Sequence, residues 1–175
     1  MMNLIKSVVI LSLSALSFVT QAAQLPSEMV IDGVSYTVNA EEPATVVKRT
    51  MSFDLTKEES EQIEQQGFAN AAFGIDFRCK GSSTQTYNFR NLSPQSTKLI
   101  KTFEQTCDDK YITADLTNSS HGSLSLYLVD TDGYVVEGFS SRISVRLPVG
   151  IYHLFVANQS SSEVGEGYVK TSYSF

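Results

Sequence analysis

The residues able to do acid–base or metal chemistry are few and scattered. There are two histidines, His121 and His153. A Ser-His-Asp triad would hold one of them between a nucleophile and a carboxylate, and the chain has no Gly-x-Ser-x-Gly elbow. His121 sits in the turn sequence NSSHGS and His153 in a strand pattern, so each reads as structural. Asp108 and Asp109 follow Cys107 directly. Adjacent side chains at a strand start point apart, so the two carboxylates do not form an acid–base pair. Asp130 and Asp132 in DTDG have the first spacing of a calcium loop. Counted from Asp130, however, Tyr134, Val135 and Ser141 stand at positions 5, 6 and 12, where an EF-hand needs a ligand, a glycine and a glutamate. A looser calcium site on Asp130 and Asp132 stays open beside the plainer reading of a tight turn. No other cofactor is expected.

Two cysteines, Cys79 and Cys107, are the only ones in the chain. There is no CxxC, and neither histidine lies near either cysteine in sequence, so a redox, nucleophilic or zinc role lacks its usual partners. In an exported protein the pair is expected to close a disulfide. The chain has eight Tyr, ten Phe and no Trp. Tyr127, Tyr134, Tyr152 and Phe155 cluster in the best-patterned strands, where they either pack a sandwich or form a stacking face for a sugar or protein.

Export is written at the start. Lys6 precedes an apolar run from Val8 to Val19, and Thr20 and Ala22 offer a small-residue cleavage site, the pattern of a secretory signal peptide over residues 1–22. The run is too short to span a bilayer, which needs about 20 residues, and no cysteine follows it to carry lipid. No second stretch reads as a transmembrane helix. Removal of 22 of the 175 residues leaves 153, enough for one domain over residues 23–175. Lys6 is the only charge lost, so the mature balance is 12 basic against 19 acidic residues, or −7. An acidic chain without a basic stripe is not a nucleic-acid binder.

The elements that position these residues follow a period of two. Met29–Ile31 and Val34–Val38 around Asp32–Gly33 predict a hairpin over about 29–38. Val46–Leu55 reads as a strand with Val47, Arg49, Met51, Phe53 and Leu55 in phase. Residues 57–66 are the one convincing helix, opened by a Thr56/Glu59 capping box and poor in apolar residues. Short strands follow near 73–79, 85–90, 99–103, 111–116 and 123–130. Leu124, Leu126 and Leu128 share a face. So do Ile143, Val145 and Leu147; Tyr152, Leu154 and Val156; and Val169, Thr171, Tyr173 and Phe175. Strands at this spacing with Gly, Asn, Asp and Ser between them predict an all-β antiparallel sandwich or barrel.

GSLSLYLVDTDGYVV (122–136), RISVRLPVGIYHLFVAN (142–158) and GYVKTSYSF (167–175) come in the order of a paired strand, an aromatic strand after a Pro/Gly corner, and a closing strand. QTYNFRNL (85–92) fits an opening strand. This stretch, roughly 85–175, resembles the bacterial pre-peptidase C-terminal domain. The resemblance implies a jelly-roll-like antiparallel β-sandwich with an accessory or binding role, and it names no ligand. The family's usual attached peptidase is not present, and residues 23–80 have no counterpart in it.

The sequence therefore leads to an exported, non-enzymatic binding or accessory protein of the bacterial envelope, periplasmic or secreted. Its partner is expected to be a protein, such as a toxin or hydrolase that it blocks or escorts, or an envelope glycan. The alternating C-terminal strand and the mature length keep a second reading open, a small eight-stranded outer-membrane β-barrel. An enzyme with an unrecognised site is a third.

Overall fold

The computed structural model describes residues 28–31, 34–39, 44–66 and 79–174. The expected leader, the Asp32–Gly33 turn, the segment 73–78 and Phe175 lie outside them. Eleven strands and one helix run in the order β1 (Glu28–Ile31), β2 (Val34–Asn39), β3 (Thr45–Phe53), α1 (Lys57–Gln66), β4 (Gly81–Leu92), β5 (Ser96–Gln105), β6 (Lys110–Asn118), β7 (Leu124–Asp130), β8 (Val135–Ser140), β9 (Arg142–Leu147), β10 (Gly150–Asn158) and β11 (Gly165–Ser174). They form a six-stranded sheet, β1-β2-β5-β10-β7-β8, and a five-stranded sheet, β3-β4-β11-β6-β9. Every pairing is antiparallel except β2 with β5. The fold is the all-β, sandwich-like arrangement that the alternation implied.

The faces come out as the sequence set them. Leu126, Leu128, Leu154 and Val156 from one sheet meet Phe89, Ile112, Ala114, Ile143 and Val169 from the other in the main core. Leu126, Leu154, Ile112, Ile143 and Val169 are all 0% exposed. Each strand turns alternate residues inward, and two sheets bury those faces against each other. The helix is capped as expected: the Glu59 N–H donates to Thr56 Oγ1 at 3.2 Å and the Thr56 N–H to Glu59 Oε2 at 2.9 Å. It buries no residue. Its link to the sheets is Lys80, whose Nζ lies 2.5 Å from Glu59 Oε1. That contact draws the Glu59 carboxyl below the usual carboxylate range.

Two features depart from a plain sandwich. In the six-stranded sheet the other face is buried as well. Tyr36 and Val38 of β2, Tyr127 and Val129 of β7, and Phe155 and Ala157 of β10 form a second core. Tyr127 stacks between Phe155 at 5.2 Å and Phe139 of β8 at 6.4 Å. Strand β8, beyond the Asp-Gly turn, carries that second ring. Gly138 makes the approach workable: a Cβ there would stand 2.7 Å from Tyr127 Cβ. The second departure is in β3, where the register shifts between Val46 and Lys48. Val47 is the extra residue of a bulge. Val46, not Val47, therefore shares the inward-facing side with Arg49, Met51 and Phe53.

Candidate functional site

The residues proposed from sequence are spread out. Tyr127 and Phe155 are 0% exposed and Tyr152 is 6% exposed, whereas Tyr134 is 72% exposed. The four therefore form no common stacking face. Tyr127 and Phe155 fill the second core, and the Tyr152 hydroxyl donates to the Pro148 carbonyl at 3.2 Å. Alternation shows which side chains share a face; whether something covers that face is set by the curl of the sheet. Burial also pushes the Tyr127 hydroxyl far above its ordinary pKa.

Cys79 and Cys107 are brought into disulfide geometry, with sulfurs 2.01 Å and Cα atoms 5.6 Å apart. Asp130 closes the β7–β8 turn. Its Oδ1 accepts the N–H groups of Asp132 at 3.0 Å and Tyr134 at 2.9 Å, and Gly133 takes φ 84°. Asp132 adds no second carboxylate to that arrangement. Among the described residues no three His, Cys, Asp or Glu side chains converge as a metal site. Asp108 accepts the Val149 N–H at 3.2 Å, and Asp109 pairs with Arg146 at 2.6 Å. His153 Nδ1 lies 2.9 Å from Thr102 Oγ1, and burial lowers its pKa. Lys101 sits between the sheets, 3.1 Å from Gln85 Oε1 and 4.0 Å from the centre of the Tyr173 ring. Burial lowers the Lys101 pKa.

What the fold does assemble is the outer face of the five-stranded sheet. Antiparallel partners share a face, and the register lines up Thr50, Thr84, Ser172, Thr113 and Ser144, one hydroxyl from each strand. The next row holds Lys48, Thr86, Lys170, Asp115 and Arg142, and the row beyond it Thr45, Asn88, Tyr168 and Thr117. Thr84 Oγ1 donates to Ser172 Oγ at 3.2 Å, and Ser52 and Ser82 hydroxyls meet at 2.7 Å. Each hydroxyl both donates and accepts, so the rows present a mixed hydrogen-bonding surface.

Two hollows lie in line on this face, over the β4–β11 seam. One, of about 430 Å³, is lined by Lys48, Thr50, Thr84, Thr86 and Lys170. The other, of about 300 Å³, is lined by Asn88, Arg90, Ser119, Glu166, Gly167 and Tyr168. The seam from Ser82 to Arg90 is eight residue steps, or about 27 Å. Gly167 fixes the second hollow, since a Cβ there would come within 2.2 Å of the Thr117 carbonyl oxygen. Tyr168, 41% exposed, offers its ring beside it. Asn158, 0% exposed, anchors the end of the seam: its Nδ2 donates to the carbonyls of Leu92 at 3.0 Å and Glu163 at 2.7 Å.

The outward residues of this sheet are hydroxylated or charged, so it offers no outward apolar band of the kind a membrane barrel turns to lipid. Among the described residues no helix is long and apolar enough to cross a membrane. No family model matches the chain, and no curated protein matches it.

Proposed function

We propose that this chain is an exported, non-enzymatic binding protein of the bacterial envelope that docks an extended glycan along the β4–β11 seam. The observation that carries the reading is the five-strand hydroxyl row beside two aligned hollows. A sugar chain is a line of hydroxyls, and a flat surface of side chains that both donate and accept complements it without ordering flexible groups. Tyr168 gives a sugar ring an apolar face to lie on. The leader pattern and the cysteine pair suit life outside the cytoplasm, and the resemblance over 85–175 points to the same accessory role.

A second reading, a protein partner, is favoured by one observation. The β7–β8 and β9–β10 turns meet at one end of the sandwich, where Asp130 pairs with Tyr152. Tyr134 is 72% exposed there, Val149 60%, Val135 43% and Ile151 42%, the kind of apolar rim that marks protein contacts. Co-sedimentation of the mature protein with insoluble envelope polysaccharide separates the two. Thr84→Trp, which roughens the outer face without touching the core, should abolish retention, and Tyr134→Ser should leave it unchanged. No retention of the wild-type protein would overturn the glycan reading in favour of the protein, and retention kept by Thr84→Trp would overturn the assignment of the glycan to this face.

A further inference from the structure

We infer that the glycan held on this face is a polyanion, an acidic polysaccharide carrying carboxylates along its length, gripped by Lys48 and Lys170 on either side of Thr86. This rests on the docking face proposed above and specifies its ligand. The sequence as a whole carries 13 basic and 19 acidic residues, yet the seam runs the other way. Its hollows are lined by Lys48, Lys170 and Arg90 against one carboxylate, Glu166. Farther out on the same sheet, cations are already neutralised: Arg142 lies 3.3 Å from Asp115 and Arg146 2.6 Å from Asp109. Among the described residues neither Lys48 nor Lys170 has such a partner, although Asp115 stands directly across from Lys170. A neutral glycan laid over the two unpartnered lysines would strip their hydration and return no charge. An acidic one returns it.

The backbone gives a second, independent reason. In an unbroken strand Thr45 and Val47 would face outward, and Lys48 would turn inward with Val46. The bulge at Val47 inverts the phase and sets Lys48 outward, opposite Thr86. Bulges at a sheet edge commonly re-aim a side chain, and here the side chain re-aimed is the one that flanks Thr86 on the side away from Lys170. Two strand spacings separate the lysines, about 10 Å. The lysines therefore flank a chain that runs along the seam, and successive residues of an extended polyuronate turn their carboxylates to alternate edges, toward one lysine and then the other, with ring hydroxyls between them to meet Thr86, Thr84 and Ser172.

The test uses the mature protein and three soluble polymers of matched length: a polyuronate, neutral dextran and poly-glutamate. Binding is followed by titration calorimetry at low and at physiological salt. The polyuronate should bind, dextran should bind at least roughly tenfold more weakly, and added salt should weaken the polyuronate complex. Lys48→Gln/Lys170→Gln should lose about tenfold, and Lys48→Arg/Lys170→Arg should restore it. Both lysines lie on the outer face, so melting curves should stay unchanged. Equal binding of dextran and polyuronate, with no loss in the double Gln variant, would overturn the charge inference and leave the glycan face standing. Poly-glutamate binding as well as the polyuronate would overturn it in favour of an acidic protein. Binding of none of the three would overturn both this inference and the proposed function.

Discussion

Leu154→Ala tests whether the strand faces are assigned correctly. Leu154 is 0% exposed on β10, which pairs with β5 on one side and β7 on the other, opposite Leu128. The change removes three buried carbons, worth about 2.4 kcal/mol by transfer alone. The two flanking strands hold the site open, so a cavity term adds to this and the total should reach about 3–5 kcal/mol. Against a total stability of about 5–15 kcal/mol, that is a large fraction. At roughly 2–4 °C per kcal/mol for a chain of this size, Tm should fall by about 6–20 °C. Urea denaturation of the oxidised protein should move the midpoint and leave the slope unchanged. A residue on the other face of the same strand supplies the control: Ile151 is 42% exposed, and Ile151→Ala should stay within about 0.5 kcal/mol. Equal costs at the two positions, or a Leu154→Ala cost below about 1 kcal/mol, would mean that the faces of β10 are reversed or that the core relaxes around the gap.

Reducing the Cys79–Cys107 pair, 28 residues apart, should cost about 3–4 kcal/mol in the chain-entropy account; an unchanged urea midpoint after complete reduction would refute it. Thr171 is 0% exposed and among the described residues its hydroxyl has no hydrogen-bond partner, so Thr171→Val should stabilise the protein by about 1 kcal/mol, seen as a raised Tm. Gly167→Ala should cost about 1–3 kcal/mol, because the new Cβ meets the Thr117 carbonyl at 2.2 Å and β11 must move from β6; a neutral result would show that the seam is loose there. Burial lowers the His153 pKa below 6.5. The folded protein therefore binds that proton less readily than the unfolded chain. The stability this residue contributes is complete above about pH 6.5 and falls away as the pH drops below it. His153→Gln should flatten the urea midpoint between about pH 7 and 5.5, and an equal slope in both proteins would refute the assignment.

The strands that face the main core were legible because one of their faces is apolar and its alternation is unbroken, as in Leu124-Leu126-Leu128 and Ile143-Val145-Leu147. The helix was legible from Thr56 and Glu59 alone, since a capping box is a local device. The second core was not. In GIYHLFVAN both faces carry aromatic or apolar side chains, and nothing local distinguishes a face awaiting a ligand from one that a curled sheet covers. For that reason the pattern left Tyr127 and Phe155 open between sandwich packing and a stacking face. The bulge at Val47 was equally hidden: the alternation Val47-Arg49-Met51-Phe53 looks regular, and only pairing with β4 shows that Val47 is the extra residue. The outer face of the five-stranded sheet, proposed above as the docking face, did leave a signal. Ser82, Thr84, Thr86 and Asn88 occupy every second position of β4, and Lys170, Ser172 and Ser174 do the same in β11. Outward hydroxyls on two strands are visible in sequence, but the register that sets them side by side is not.

A sandwich of two sheets has two outer faces, and here they meet different fates. The six-stranded sheet buries its outer side chains: Tyr127, Phe155 and Ala157 are 0% exposed and Val129 2%. A partner reaching that side would have to displace a packed core, at several kcal/mol for each large side chain uncovered. The five-stranded sheet keeps its outer side chains in water, and it reaches that state with β-branched and hydroxylated residues, which hold a pleated surface flat while satisfying one another only in part. Thr84 spends its hydroxyl proton on Ser172 and still has lone pairs to offer. Such a face costs the fold little, and its threonines and serines, unlike the lysines beside them, have few rotamers to lose on binding. Both sheets thus share the main core, the six-stranded one adds a second core on its other side, and the outer face of the five-stranded sheet is the one whose side chains stay in water, which is why the proposed recognition is put there.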